Sequence, residues 1–261
     1  MQKHSFVISA WKESPYIEDT VKSLLAQTVP SDVIIATSSP NEFLKNLCTR
    51  YNIKYIVNPD AFMADSAVNW SFAYSVAKTK YVTLAHQDDI YLPDYTEKML
   101  AAAEKKKDVV MAFSRCSNYC NGKRVNFHLL LFIKDILLLP YFLKNAIYSK
   151  KIRFFAFSLG NPVCCPTVMF NKELIGNFYF DPQVKVNLDW DAWLRLTRLK
   201  GAFLFVPHST LLRRIHEESG TTITYNDGSR GIDDFNFFCK FWPRPIAWLL
   251  NKLYSLARYL N

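Results

Sequence analysis

The chain has 261 residues, half of them hydrophobic, with only 7 Gly and 12 Pro and a formal net charge of +9. That length and apolar content suffice for one large core and exclude a disordered or linker-rich chain. The positive charge admits a nucleic acid, an anionic membrane or a phosphorylated substrate, so the motifs must choose among them.

The start, MQKHSFVISAW, lacks a basic region followed by a long apolar core, and predicts no signal peptide. The longest apolar candidate, Phe127 to Ile147, is interrupted by Lys134, Asp135, Pro140 and Lys144, which argues against a spanning helix. The six cysteines are scattered; Cys116 and Cys120 have no second pair at zinc-site spacing, so they read as reduced thiols. A cytoplasmic location is expected.

In chain order, Phe6 to Ser9 is a strand-like run, and Tyr16 to Gln27 places Ile17, Val21, Leu24 and Leu25 at helical spacing. Asp32 to Ala36 predicts a second strand, Asn41 to Tyr51 a helix, and Ile53 to Val57 a third strand. Asp65 to Ala77 has Val68, Phe72 and Val76 on one stripe and predicts a helix, followed by a strand over Tyr81 to Ala85. Asp94 to Lys106 is a helix and Val109 to Phe113 a fifth strand. Short strands alternating with helices of about ten residues predict an α/β fold with a mostly parallel sheet, whose ligands bind beyond the carboxyl ends of the strands. Further on, Phe127 to Ser158 reads as helical, Cys164 to Phe170 as a strand, and Asp189 to Leu199 as a helix. Phe203 to Val206 and Thr210 to Ile215 are strand-like, and the chain from Asp233 is helical, broken at Pro243 and Pro245.

Three constellations carry possible chemistry. In TLAHQDDIYLPDY, Thr83 to Tyr95, a strand ends on Asp88 and Asp89. Adjacent carboxylates repel unless a proton or cation offsets them, and a divalent cation with oxygen ligands does so; the alternative is a solvated cap ahead of the helix near Pro93. In NLDWDAWLRL, Asn187 to Leu196, Asp189 and Asp191 bracket a tryptophan. Either carboxylate suits a general base in an apolar surround, and both equally suit the first turn of a helix. In LRRIHEESGTT, Leu211 to Thr222, Arg213, Arg214 and His216 run into hydroxyls, a set able to hold a diphosphate or to complete a metal sphere, or simply a surface loop.

Taken in order, these motifs make the chain resemble a family 2 glycosyltransferase of the GT-A fold, the group that builds bacterial surface polysaccharides. The resemblance rests on FVISAWKESPYIEDTVKSLLAQT, NWSFAYSVAKTKYVTLAHQDDIYLPDY, GNPVCCPTVMF, LDWDAWLRL and RRIHEESGTT, and spans about residues 4 to 225. It implies a Rossmann-like, mostly parallel central sheet flanked by helices. A GT-A domain would cover residues 1–230, with a nucleotide-sugar-binding half to 115 and an acceptor-side half after it. A basic amphipathic helical tail would follow over 231–261.

The resemblance also implies roles. Asp88 takes the place of the metal-binding aspartate of the DxD motif, with Asp89 in support and His216 as a third ligand for Mg²⁺ or Mn²⁺. His86 fills the place of the motif's first aspartate, giving an HQDD variant. Asp189 takes the place of the catalytic base, preceded by Leu188 where the family has glutamate, and Asp191 stands in reserve. Ser9, Ala10, Trp11, Glu13, Thr37, Ser38, Asn69, Gln87, Asp88, Arg214 and Ser219 would hold the donor, with Trp11 stacking on the base and Thr221 sharing the closing loop. After the second strand the family's DDGS, whose aspartate reads uracil, is replaced by Thr37-Ser38-Ser39-Pro40.

The activity implied is inverting, hexosyltransferase-like transfer of sugar from a nucleotide diphosphate, a UDP-sugar first among donors, to a hydroxyl of a glycan or lipid-linked glycan. The alternative is a GT-A-fold protein that binds sugar nucleotides without turnover, favoured by Leu188 and TSSP. Paired acids at the site oppose a nucleic-acid partner. Leu129 to Tyr148 and Ile246 to Leu260, apolar and accompanied by Lys144, Lys150, Lys240, Arg244, Lys252 and Arg258, suit peripheral contact with the inner face of the cell membrane, or packing on the catalytic domain or on a second subunit of a homodimer.

Overall fold

Parallel strands buried on both faces need continuous apolar runs, and the chain supplies them at the start. In the computed structural model, which describes residues 2–60, 65–120, 122–125 and 129–259, β1 (His4–Ala10) pairs in parallel with β2 (Asp32–Thr37) and with β4 (Tyr81–Ala85), and β2 with β3 (Lys54–Val57). Then come β5 (Ile90–Tyr91), β6 (Val109–Cys120), β7 (Lys123–Val125), β8 (Ala146–Ile147), β9 (Met169–Asn171) and β10 (Ala202–Arg214). The described strands make one sheet in the order β3-β2-β1-β4-β9-β6-β10-β5, with β7 on β6 and β8 on β10. The long strands run parallel; β9 is inserted antiparallel between β4 and β6.

Helices cover both faces: α1 (Ile17–Leu25), α2 (Glu42–Tyr51), α3 (Ser66–Val76), α4 (Tyr95–Glu104), α5 (Leu129–Leu137), α6 (Leu139–Leu143), α7 (Lys150–Phe155), α8 (Lys172–Ile175), α9 (Leu188–Leu196), α10 (Gly220–Asn226), α11 (Ser229–Phe238) and α12 (Arg244–Tyr259). One core gathers Ile17, Val21, Leu44 and Met99 from α1, α2 and α4 under one face of the sheet. The other gathers Tyr74, Trp190, Trp193, Phe238 and Tyr254 from α3, α9, α11 and α12. The GT-A-type mixed fold expected from the sequence is the one observed.

Several local expectations are corrected. Cys164 to Phe170 is a single 3₁₀ turn, Cys165–Thr167, followed by β9, because Pro166 cannot donate to a ladder. The two strand-like runs after residue 202 are one strand, β10, whose register to β6 shifts between Val206 and Ser209, around Pro207. The long helical reading of residues 127–158 resolves into α5, α6 and α7 with β8 between them; residues 126–128 lie outside those described. The hydroxyl-rich segment read as loop contains α10. Pro243 lies between α11 and α12, whereas Pro245 does not break the helix: it lies in the first turn of α12, where its missing N–H costs nothing.

Candidate active site

β4 ends at Ala85, and the next four residues cross the carboxyl edge of the sheet before β5. Asp88 and Asp89 therefore do not cap α4; Asp94 occupies that position. The turn is pinned from below: Trp11 N–H donates to Gln87 Oε1 at 2.9 Å and Gln87 Nε2 donates to the Trp11 carbonyl at 3.3 Å. Gln87 thus clips the end of β4 to the turn after β1.

Two carboxylates and an imidazole meet there. One ligand atom from each of His86, Asp88 and Asp89 lies within 4.8 Å of the others. Asp89 is buried; its Oδ1 accepts from Arg214 N–H at 2.9 Å and its Oδ2 has no hydrogen-bond partner. Burial, and then the Asp88 charge, push the Asp89 carboxyl well above the usual carboxylate range. His86 Nδ1 stands 3.8 Å from Asp89 Oδ2, its Nε2 is buried without a partner, and its ring leans on Trp70 at 5.3 Å. Burial lowers the His86 pKa against the charges of Asp88 and Asp189, which raise it. Orphaned oxygen and nitrogen atoms beside a second carboxylate form a donor set that fits a divalent cation.

β10 delivers the other side. Arg214 Nε donates to the Asp88 carbonyl at 2.9 Å, Arg214 Nη2 reaches Asp19 at 3.0 Å, and the guanidinium lies 4.6 Å from the Tyr16 ring. His216 Nε2 is 2.8 Å from Asp88 Oδ2, and its ring is 4.7 Å from Tyr16. Thr222 Oγ1 donates to the His216 carbonyl at 3.1 Å and Ser219 Oγ is 2.8 Å from Thr222 Oγ1, so the hydroxyls brace the histidine; the Thr221 side chain lies outside those described.

The second acidic motif arrives on α9. Asn187 N–H donates to Asp233 and its side-chain amide to Asp234, which fixes the start of α9 against α11. Asp189 then accepts from Asn161 Nδ2 at 2.8 Å through Oδ2 and from Trp190 N–H at 2.8 Å through Oδ1. Asn161 leads into the Cys165–Thr167 turn, which packs on β4, the strand that ends just before His86, so α9 is tied to the same end of the sheet as the first acidic motif. Asp191 points elsewhere: Arg195 Nε is 2.7 Å from Oδ2 and Lys240 Nζ 3.5 Å from Oδ1.

A sequence model of the family described as glycosyl transferase family 2 matches residues 5–176, well over half of the chain. The chain belongs to that family. It is a glycosyltransferase, and the comparisons in three dimensions agree on the fold. A mannosyltransferase from Pyrobaculum calidifontis, solved with GDP-Man and Mn²⁺, superposes with a TM-score of 0.65 at 13% identity, over 99% of this chain and 73% of that one. Residues 1–349 of TarS from S. aureus give 0.62 at 12% identity, over 98% and 71%. Glucosyl-3-phosphoglycerate synthase from Mycobacterium tuberculosis, solved with Mn²⁺, UDP and phosphoglyceric acid, gives 0.54 at 13% identity, over 88% and 78%. Among curated protein sequences none matches significantly.

The remaining positions expected at a donor pocket in this glycosyltransferase lie along the same edge. Ala10 and Thr37 are register neighbours at the ends of β1 and β2; Ser9 precedes Ala10, half-buried, and Glu13 is exposed in the following turn. Ser38 donates to Asn69 and accepts from Asn58 Nδ2 at 3.0 Å, joining the end of β2 to α3. Asn161, Asn58 and Tyr16 were missed by sequence reasoning. Asn161 and Tyr16 lie inside stretches quoted for the resemblance, GNPVCCPTVMF and FVISAWKESPYIEDTVKSLLAQT, but residue type alone gave neither a role.

Proposed function

We propose that the enzyme transfers a sugar from a nucleotide diphosphate to an acceptor hydroxyl with inversion at the anomeric carbon. What supports this is the His86, Asp88 and Asp89 cluster at the end of β4, together with Asp189 held by Asn161, which leads into the Cys165–Thr167 turn packed on β4. One side suits a leaving diphosphate and the other an attacking hydroxyl.

His86, Asp88 and Asp89 would hold Mg²⁺ or Mn²⁺, with His216 bearing on Asp88. A divalent cation in that place offsets the charge developing on the leaving diphosphate. Arg214, fixed by Asp19 and the Asp88 carbonyl, adds fixed positive charge on the same side. Asp189 accepts the acceptor's proton, with the Asn161 and Trp190 donors aiming its carboxylate. Asp191, paired with Arg195 and Lys240, positions α9 and does not touch the reactants.

For the donor, Trp11, Thr37, Ser38 and Asn69 border the nucleotide and Ser9, Ala10, Glu13, Gln87 and Ser219 complete the rim. The absent carboxylate after β2 leaves hydroxyls and an amide to meet the base, for which we assign a uridine nucleotide; proteins of this fold have been solved with UDP, as in TarS, and with GDP-Man, as in the mannosyltransferase. The acceptor we assign is a lipid-linked glycan of surface polysaccharide, met at the inner face of the cell membrane.

Asp189→Asn tests the reading. It should lower transfer at least about a hundredfold, the low end for loss of a general base, while nucleoside diphosphate binding with Mn²⁺ stays within a factor of two. Turnover near wild type would remove Asp189 from the role. Donor hydrolysis by the wild type, even slow, separates an enzyme from a protein that only binds the sugar nucleotide.

A further inference from the structure

A cavity of about 310 Å³ opens beside the site, between β6, β10 and α5. That is the lower end of the range for ligand pockets, about 300–1,000 Å³. We infer that this cavity seats a phosphate group of the acceptor, with Lys134 and Arg124 as its cationic partners. The inference rests on the transferase reading above and names the acceptor's chemical class.

Three cations line the cavity and one carboxylate opposes them. Arg115 and Asp135 neutralise each other, with Arg115 Nε 2.9 Å from Asp135 Oδ1 and a second bond beside it. Lys134 and Arg124 make no ion pair among the described residues; Arg124 Nε donates only to Ser117 Oγ, at 3.2 Å. Ser117 and Ser209, whose hydroxyl oxygens are 2.9 Å apart, put further donors on the wall. Two uncommitted cations beside hydroxyls form a site for an anion with several oxygens.

Cys116 lines the cavity, and its thiol is pulled down chiefly by its hydrogen bond with the Cys164 thiol; the charges of Arg213 and Lys134 act in the same direction, against burial and the Asp135 charge.

The cavity also adjoins the reacting groups. Pro162 and Cys164 form part of its wall, and Asn161, one residue earlier, holds Asp189. The neighbouring Cys165 thiol feels the charges of both Asp189 and Asp89. A phosphate held there leaves the hydroxyl of the same acceptor within reach of the base. At the rim Phe132 is half-exposed and belongs to the apolar face of α5, a continuation suited to a lipid chain.

The test titrates the full chain, already saturated with nucleoside diphosphate and Mn²⁺, with glycerol 3-phosphate, glycerol and decyl phosphate below its micelle threshold. Saturable binding of the two phosphates and none of glycerol is expected. The double variant Lys134→Gln, Arg124→Gln should bind both phosphates at least tenfold more weakly, and Lys134→Arg should keep wild-type binding. Tighter binding of decyl phosphate assigns the phosphate to a lipid-linked acceptor, and equal binding to a water-soluble one; both support the site. Phosphates that bind no better than glycerol, or a double variant that binds them as the wild type does, overturn it. The nucleoside diphosphate is titrated separately: its failure to bind counts against the transferase reading, whereas normal donor binding without phosphate binding counts against the cavity alone.

Discussion

Asp88 is held from two directions, by His216 at its carboxylate and by Arg214 at its carbonyl. A carboxylate fixed this way, next to a buried and partnerless oxygen of Asp89, is organised for a cation before one arrives. Asp88→Ala removes one ligand and leaves His216 without its acceptor. Calorimetry with nucleoside diphosphate should then show affinity in Mn²⁺ at least tenfold below wild type and equal to that of wild type in EDTA. A variant that still responds to Mn²⁺ would place the cation elsewhere. Asp88, Asp89 and His216 stood out in the sequence because strand-end acids and a following His-hydroxyl loop have recognisable types and order, although His216, expected as a third metal ligand, is placed against the Asp88 carboxylate. His86 was not, since its part depends on burial and on Asp189, a neighbour about 100 residues away. Asn161 was illegible for the same reason: an asparagine in a turn shows its value only when the base it holds is in view.

At the scale of elements, the site depends on how α9 and β10 are seated. α9 is anchored through Asn187 to Asp233 and Asp234, and Trp190 packs against Phe237, Phe238 and Tyr254. β10 begins at a tight turn: Gly201 has φ +123°, and a Cβ there would lie 2.3 Å from the Asp108 carbonyl oxygen. The same oxygen accepts from Ala202 N–H at 2.8 Å, so it cannot withdraw without breaking the first bond of the strand. Gly201→Ala should therefore lower stability by about 3 kcal/mol through backbone strain and this clash. The urea midpoint at 25 °C checks it, and an unchanged midpoint would show that the turn relaxes freely. β1, β2 and β4 were legible because burial on both faces writes itself as apolar runs, and the half-exposed edge strand β3 and the helices between them were legible from their spacing. β10 looked like two strands because Pro207 and the register shift interrupt that pattern, and α10 looked like loop because its hydroxyls face local partners.

Across the whole molecule, charge and apolar surface coincide. α12 turns Ala247 and Tyr254 into the core, yet its outward side carries Trp248, Leu249, Leu253 and Leu256, each more than half exposed. On α6, Leu143 is 90% exposed, and Lys252 lies over the Trp248 ring at 5.6 Å. No described helix is long and apolar enough to cross a membrane. An exposed aromatic and aliphatic face mixed with lysine and arginine fits a helix lying in an anionic lipid surface, where the net charge of +9 adds attraction. The full chain should float with vesicles containing phosphatidylglycerol and stay behind with pure phosphatidylcholine, with the difference shrinking as salt rises. Trp248→Ser with Leu253→Ser changes only exposed positions, so the fold should persist while flotation falls several-fold. Because α12 also packs on α5, which carries Lys134, the same surface would bring a lipid-linked acceptor to the cavity mouth. If the double variant floats as well as the wild type, α12 is not the contact. A wild type that stays in solution and sediments as a dimer would give this face to a second copy of the chain.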